Sequence, residues 1–216
     1  MPYDFLSKLQ GKQIISFDIV SHFPVICDSP FINEIVLRSL LLNCLNKYYA
    51  DLWRSEYKPV FNDDRWSKDD LRLSDKVFKK LEGSWSVDIP LRDDYSRRQA
   101  LVELDVLVAL SLGMRYDQLA TIYRIQFPVL KQYESDTWYD VNGRIVFTNN
   151  RSLTNVGYSR NEWENGIKGA KDGKKFQQVI IDDTLPGGPV ERTIEYVAPF
   201  VRCDREKRLR DRMEVL

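Results

Sequence analysis

The chain has a single histidine, His22. A zinc site would have this one imidazole plus thiols, and the three cysteines, Cys27, Cys44 and Cys203, stand far apart with no CxxC pair. Odd in number and scattered, they read as the reduced thiols of a cytoplasmic protein rather than a disulfide framework. A Ser-His-Asp or Cys-His arrangement would have to be built on His22. It sits in the strand-like stretch FDIVSHFPVICD, where a lone motif member reads as structural. There is no excess of either charge: Lys+Arg and Asp+Glu number 32 each. Zero net charge argues against coating nucleic acid by electrostatics alone and leaves room for a local basic face. No glycine-rich loop leads from a strand into a helix to cradle phosphate oxygens. Gly187-Gly188 lies between Pro186 and Pro189 and reads as a stiff turn. No apolar run approaches the roughly 20 residues needed to span a bilayer. Met1 to Gln10 lacks the basic and apolar regions of a signal peptide. Nothing here implies a cofactor.

What is present is globular: 43% hydrophobic and 12% aromatic residues in 216. That length suits one generous domain, or a helical part and a β part sharing a core. The chain is organised around Tyr95–Asp140. Gln99–Leu112 is apolar almost all round and too short for a membrane, so it reads as a buried central helix over about 95–113. Asp93, Asp94 and Ser96 offer N-caps and Gly113 a C-cap. Glu103 and Asp105 fall roughly 200° apart round that helix, so they make no acid/base pair on one face. Each is expected to pair with an arginine, the candidates being Arg97, Arg98, Arg115 and Arg124.

Around this helix the periodicity predicts the other elements. β-branched and aromatic residues over 11–28 predict one or two strands, broken near Pro24. Apolar positions from Ile32 to Leu52 recur at helical spacing and predict a helix over about 31–55. Residues 57–70 read as a loop anchored by Trp53, Phe61 and Trp66, followed by a weak helix over 67–81. After Gly113, helices are expected at 116–125 and 129–133, separated by Phe127-Pro128. At Thr137 the pattern becomes alternating, and Asn142-Gly143 predicts a hairpin with strands at 137–141 and 144–149. Further strands are expected at 174–182 and 190–197, joined by the turn at 185–189. Residues 202–216 mix both charges at helical spacing and read as a solvated helix. The expected fold is α+β: a mainly helical part, 1–136, with a short N-terminal β element, and an antiparallel β part, 137–216, closed by a C-terminal helix.

Two constellations could carry chemistry. Basic and aromatic residues interleave over Tyr158–Lys175, where Arg160, Trp163, Lys168, Lys171, Lys174 and Lys175 are candidates to contact double-stranded DNA, the cations on phosphates and the indole against bases. The C-terminal set, Arg202, Arg205, Lys207, Arg208, Arg210 and Arg212, is diluted by Asp204, Glu206, Asp211 and Glu214 and reads as a solvated face. Asp182, Asp183 and Glu191 flank a turn. They are either the carboxylates of a metal-dependent nuclease or acids satisfying turn donors.

Several strings resemble the C-terminal region of large adenine-specific DNA methyltransferases of type IIG-like restriction-modification and phage-defence systems, DISARM-like ones included. They are Leu42–Trp53 (LNCLNKYYADLW), Arg97–Ala109 (RRQALVELDVLVA), Thr121–Asp140 (TIYRIQFPVLKQYESDTWYD), Asn142–Thr148 (NGRIVFT) and Asp182–Asp204 (DDTLPGGPVERTIEYVAPFVRCD). Such enzymes use a Gly-containing loop for S-adenosylmethionine and an Asn-Pro-Pro-aromatic motif for the flipped adenine. This sequence has neither, and no Pro-Pro dipeptide at all. The resemblance therefore implies a non-catalytic module that docks on a methyltransferase catalytic subunit or domain and contributes to target recognition. A purely structural assembly role without DNA contact is the alternative.

Overall fold

The computed structural model describes residues 28–150, 153, 156–182 and 186–215. The strands expected over 11–28, with His22 and Cys27, lie outside the described residues, as do Asp183 and the start of the 185–189 turn. The fold is α+β. In chain order the elements are α1 (Ile32–Asn43), α2 (Ala50–Glu56), α3 (Asp94–Ser111), α4 (Tyr116–Gln126), α5 (Pro128–Ser135), β1 (Trp138–Tyr139), β2 (Ile145–Phe147), α6 (Arg160–Glu162), β3 (Lys175–Asp182), β4 (Val190–Val197), β5 (Val201–Arg202) and α7 (Arg205–Val215). Among the described residues no helix is long and apolar enough to cross a membrane.

Two compact units form, and they interleave in sequence rather than dividing at 136/137. Of the described residues, the first comprises those up to Arg65, Asp75–Leu91 and Glu103–Arg115; the second comprises Trp66–Ser74, Arg92–Val102 and those from Tyr116 on. Helix α3 contributes its first half to the second unit and its second half to the first.

In the first unit, Ile35 of α1 and Leu107 of α3 are fully buried, with Phe31, Ile32, Leu104 and Val108 packed on them. The helix expected over 31–55 is interrupted. Asn43 turns its amide back to the Ser39 carbonyl, Asn46 caps a new turn by accepting from the Tyr48 N–H, and α2 follows. The Cys44 carbonyl accepts from the Trp85 indole at 2.8 Å. Asparagine offers the backbone these local partners, and apolar periodicity cannot reveal them. Trp53 and Phe61 are buried anchors as expected, with the Trp53 indole donating to the Glu82 carbonyl. The weak helix over 67–81 is absent. Within this stretch there is one 3₁₀ turn, Asp75–Val77, and an isolated bridge between Asp70 and Leu73. The Asp70 carboxylate accepts from the Arg72 N–H, an Asx turn that folds the chain back.

The central helix forms where the sequence puts it. Asp93 is its cap, accepting from the Ser96 N–H at 2.7 Å. Gly113, at φ 70°, ends it: its N–H donates to Leu110 and that of Met114 to Ala109, a Schellman closure. Glu103 is wholly buried, and it has a partner outside the four arginines expected. Arg38, fully buried on α1, donates to it from Nε at 2.7 Å. Asp105 is exposed.

In the second unit Pro128 begins α5 at the first helical position, where its missing N–H costs nothing. Strand β1 pairs antiparallel with both β2 and β5. The β1–β2 hairpin turns through three residues, Val141–Gly143, with Gly143 at φ 78°. Asp140 sits at the hairpin's start, fully buried, its carboxylate accepting from the N–H groups of Asn142, Arg144 and Val197. β3 and β4 form a separate two-stranded ribbon, in register from Lys175↔Val197 to Asp182↔Val190. Between hairpin and ribbon, Val146, Phe147, Trp163, Ile167 and Tyr196 make a buried cluster. Trp163 stacks on Phe147, rings 5.5 Å apart and parallel within 1°.

Candidate functional site

The loop 158–175 is ordered by its own short-range chemistry. Ser159 and Glu162 form a reciprocal capping box, opening α6, and a π turn over Trp163–Ile167 follows. Three of its cations are compensated. Arg160 is held by Asp136 at 2.7 Å and lies over the Phe147 ring, Lys168 meets Glu164 at 3.0 Å, and Lys175 meets Glu195 at 2.8 Å across the ribbon. The Asp136 carboxylate raises the Arg160 pKa, and Lys175 lowers that of Glu195. Trp163, expected to be exposed and to lie against bases, is fully buried. That expectation is corrected: the indole fills the core because Trp138, Phe147 and Phe200 surround it. Lys171 and Lys174 are exposed, and Lys174 rests over Phe176. Of the six residues expected to contact DNA, these two are the exposed cations with no carboxylate within ion-pair distance among the described residues.

For the acids, Asp182 ends β3 opposite Val190, and Glu191 is exposed one rung on, opposite Ile181. Among the described residues no group of three or more His, Cys, Asp or Glu side chains is placed to hold a metal ion.

The C-terminal basic set divides: Arg202, Lys207 and Arg210 are exposed, as a solvated face requires, whereas Arg205, Arg208 and Arg212 are buried. Asp204 caps α7, accepting from the Lys207 N–H at 3.0 Å. Arg205, Arg208, Leu209 and Arg212 then form one buried stripe at helical spacing. Arginine can bury its aliphatic stem while its head finds polar partners. Arg208 donates to the Gln99 side chain at 2.9 Å and lies 4.3 Å over the Tyr95 ring. Arg72 covers the same ring at 5.5 Å and donates to the Asp140 and Pro199 carbonyls. Tyr95 itself hydrogen-bonds Asp70, whose pKa falls through that bond and those from Arg72, against the effect of burial.

Beside this stripe, α4, α5, β5 and α7 enclose an open cavity of about 560 Å³. Lys131, Arg202, Arg205, Lys207 and Arg210 line it against three carboxylates, Glu134, Asp204 and Glu206. Two of those carboxylates are each shared between two cations. Glu134 takes Arg98 and Arg205, and it also accepts from the Tyr123 hydroxyl. Glu206 takes Arg124 and Lys131, which hold its pKa down to about 2. Three of the arginines are laid on aromatic rings: Arg202 over Trp138 at 5.4 Å, Arg205 over Tyr123 at 5.2 Å and Arg210 over Tyr116 at 5.0 Å. Arg205 is nine-tenths buried. Burial, with the like charge of Arg98 beside it, pushes its pKa down to about 9.

Such a cavity can hold an anion, because five cations line it and guanidinium groups offer several N–H donors to one oxyanion. The sequence signal was the spacing of Arg205, Arg208 and Arg212 on one helical face with acids on the others. The aromatic seats came from α4 and β1, distant in sequence, and could not be read. Comparison of the chain with protein-family models, with curated proteins and with solved structures finds no match to any of them.

Proposed function

We propose that this chain is a non-catalytic module, similar to the C-terminal part of an adenine-specific DNA methyltransferase of a restriction-modification or phage-defence system. It docks on the methyltransferase catalytic subunit or domain in the cytoplasm and assists in holding double-stranded target DNA. The observation that carries the DNA part is charge segregation. A chain with zero net charge gathers five cations against three carboxylates around one cavity, and exposes Lys171 and Lys174 on the approach to β3. Local excess of this kind steers a polyanion where the net charge does not. The docking part rests on the resembling strings, which run through α3, the β1–β2 hairpin and the β4–β5 segment.

Fluorescence anisotropy of a labelled duplex, over a salt series and with or without Mg²⁺, tests this reading on the whole chain. Binding that weakens steeply with salt, and that Lys171→Glu with Lys174→Glu reduces, is expected. Flat anisotropy at low salt would refute DNA contact and leave the assembly role, which the ion pairs on Arg160, Lys168 and Lys175 favour. Loss of intact duplex only with Mg²⁺ would refute the non-catalytic assignment and point to Asp182, Asp183 and Glu191.

A further inference from the structure

We infer that the cavity between α4, α5, β5 and α7 is a phosphate site, with Arg202, Arg205 and Arg210 as its ligands, and that the phosphate it takes belongs to a nucleic-acid backbone. The second clause rests on the DNA reading above; the first does not.

Two of the three arginines, Arg202 and Arg210, are only partly engaged within the protein. Arg205 shares Glu134 with Arg98. Arg202 gives one N–H to the Ser135 carbonyl at 3.2 Å, and Arg210 gives one to the Tyr116 hydroxyl at 3.4 Å. A guanidinium carries five N–H donors in a fixed fork, so Arg202 and Arg210 retain donors at the cavity wall. Each of the three has its guanidinium carbon within 5.4 Å of a ring centroid, a contact that restrains the side chain without using its N–H donors. A tetrahedral phosphate oxyanion fits such donors, because it accepts paired N–H groups from more than one side. A carboxylate presents its acceptor sites in one plane, whereas phosphate oxygens point to the corners of a tetrahedron. The nearby acids do not compete for this role, since Glu134 and Glu206 are each committed to two cations.

The test uses the whole chain and two probes, inorganic phosphate and a duplex oligonucleotide. Each is titrated while the arginine Nε–Hε resonances are followed by NMR, with affinity measured in parallel by calorimetry. The variant Arg202→Ala with Arg210→Ala removes two exposed ligands and spares the buried stripe; its melting curve checks that the fold is retained. Phosphate is expected to move the Arg202, Arg205 and Arg210 resonances in the parent chain. The double variant should bind phosphate about tenfold or more weakly, and the salt slope of its duplex binding should be shallower by roughly 0.9 for each DNA phosphate it no longer neutralises. The duplex should displace inorganic phosphate from the same resonances. Lys171→Glu with Lys174→Glu should leave phosphate binding unchanged. Duplex binding that is intact in the arginine variant, with no phosphate response in the parent, would overturn the site and leave the DNA reading standing. Phosphate binding at these arginines without any duplex binding would overturn the nucleic-acid source and the DNA reading together, and assign the cavity to a free phosphate compound.

Discussion

Arg38→Met should destabilise the protein by about 3–5 kcal/mol, the range for leaving a buried charge without its partner. Arg38 is fully buried and is gripped from two sides. Glu103 accepts from its Nε and approaches its Nη2, both at 2.7 Å, and Asp64 lies at 2.6 Å from Nη1 and 3.3 Å from Nη2. The Arg65 carbonyl takes a further N–H at 3.1 Å. Burial alone would lower the Arg38 pKa, yet the two carboxylates outweigh it and the pKa is raised. At an effective dielectric of about 20, unit charges about 4 Å apart attract by about 4 kcal/mol. Removing the arginine takes its guanidinium away from Glu103, which is itself wholly buried. The reverse change is milder. Glu103→Gln leaves Arg38 bidentate on Asp64, so a cost of about 1–2 kcal/mol is expected, that of a weakened charge-assisted bond. Arg38→Met with Glu103→Met removes both charges of the wholly buried pair and should recover part of the loss, Asp64 keeping its charge. Urea denaturation of the four proteins, compared through their midpoints at constant slope, measures all three effects. A cost for Glu103→Gln equal to or above that of Arg38→Met would refute the reasoning, as would a loss under about 1 kcal/mol for the arginine variant.

Two further changes test other parts of the molecule. Gly157 has φ 66°, and a Cβ there would lie 2.4 Å from the Val146 carbonyl oxygen and 2.6 Å from its carbon; Gly157→Ala should cost roughly 2 kcal/mol or more in the same denaturation assay, and a neutral variant would mean that the segment does not press on β2 as described. Glu206 has a folded pKa lowered from the ordinary 4.5 to about 2 by Arg124 and Lys131, so its contribution to stability is complete above about pH 4.5 and is lost as the pH falls towards 2. Melting temperature against pH should therefore fall less steeply across that window in Glu206→Gln, and an unchanged acid limb would show that the two cations do not hold this carboxylate in solution.

Much of the architecture could be read locally because its causes are local. Asp93 and Gly113 bracket α3, Pro128 starts α5, Gly143 turns the hairpin, and alternation marks β3 and β4 almost to the residue. These signals depend on backbone conformation and short-range hydrogen bonds, which neighbouring residues decide. The misreadings arose where a side chain competed for the backbone. Asn43 and Asn46 interrupt the 31–55 periodicity, and Asp70 folds 67–81 into turns. The candidate site fared less well. Loop 158–175 looked basic and aromatic in sequence, but its Trp163 is core and three of its cations are paired to Asp136, Glu164 and Glu195.

By itself, the sequence determined the α+β class, the buried central helix, its caps, the hairpin and the ribbon, because each follows from periodicity and from residues with restricted backbone preferences. Only the tertiary structure decided which charges face each other. Arg38 meets Glu103 across 65 positions, Arg205 meets Glu134 across 71, and Arg208 meets Gln99 across 109. Composition shows balanced charge, and it is the folded chain that sorts those charges into buried pairs and an arginine-lined cavity, because Coulomb energy depends on distance in space and on burial, neither of which is written in the order of residues.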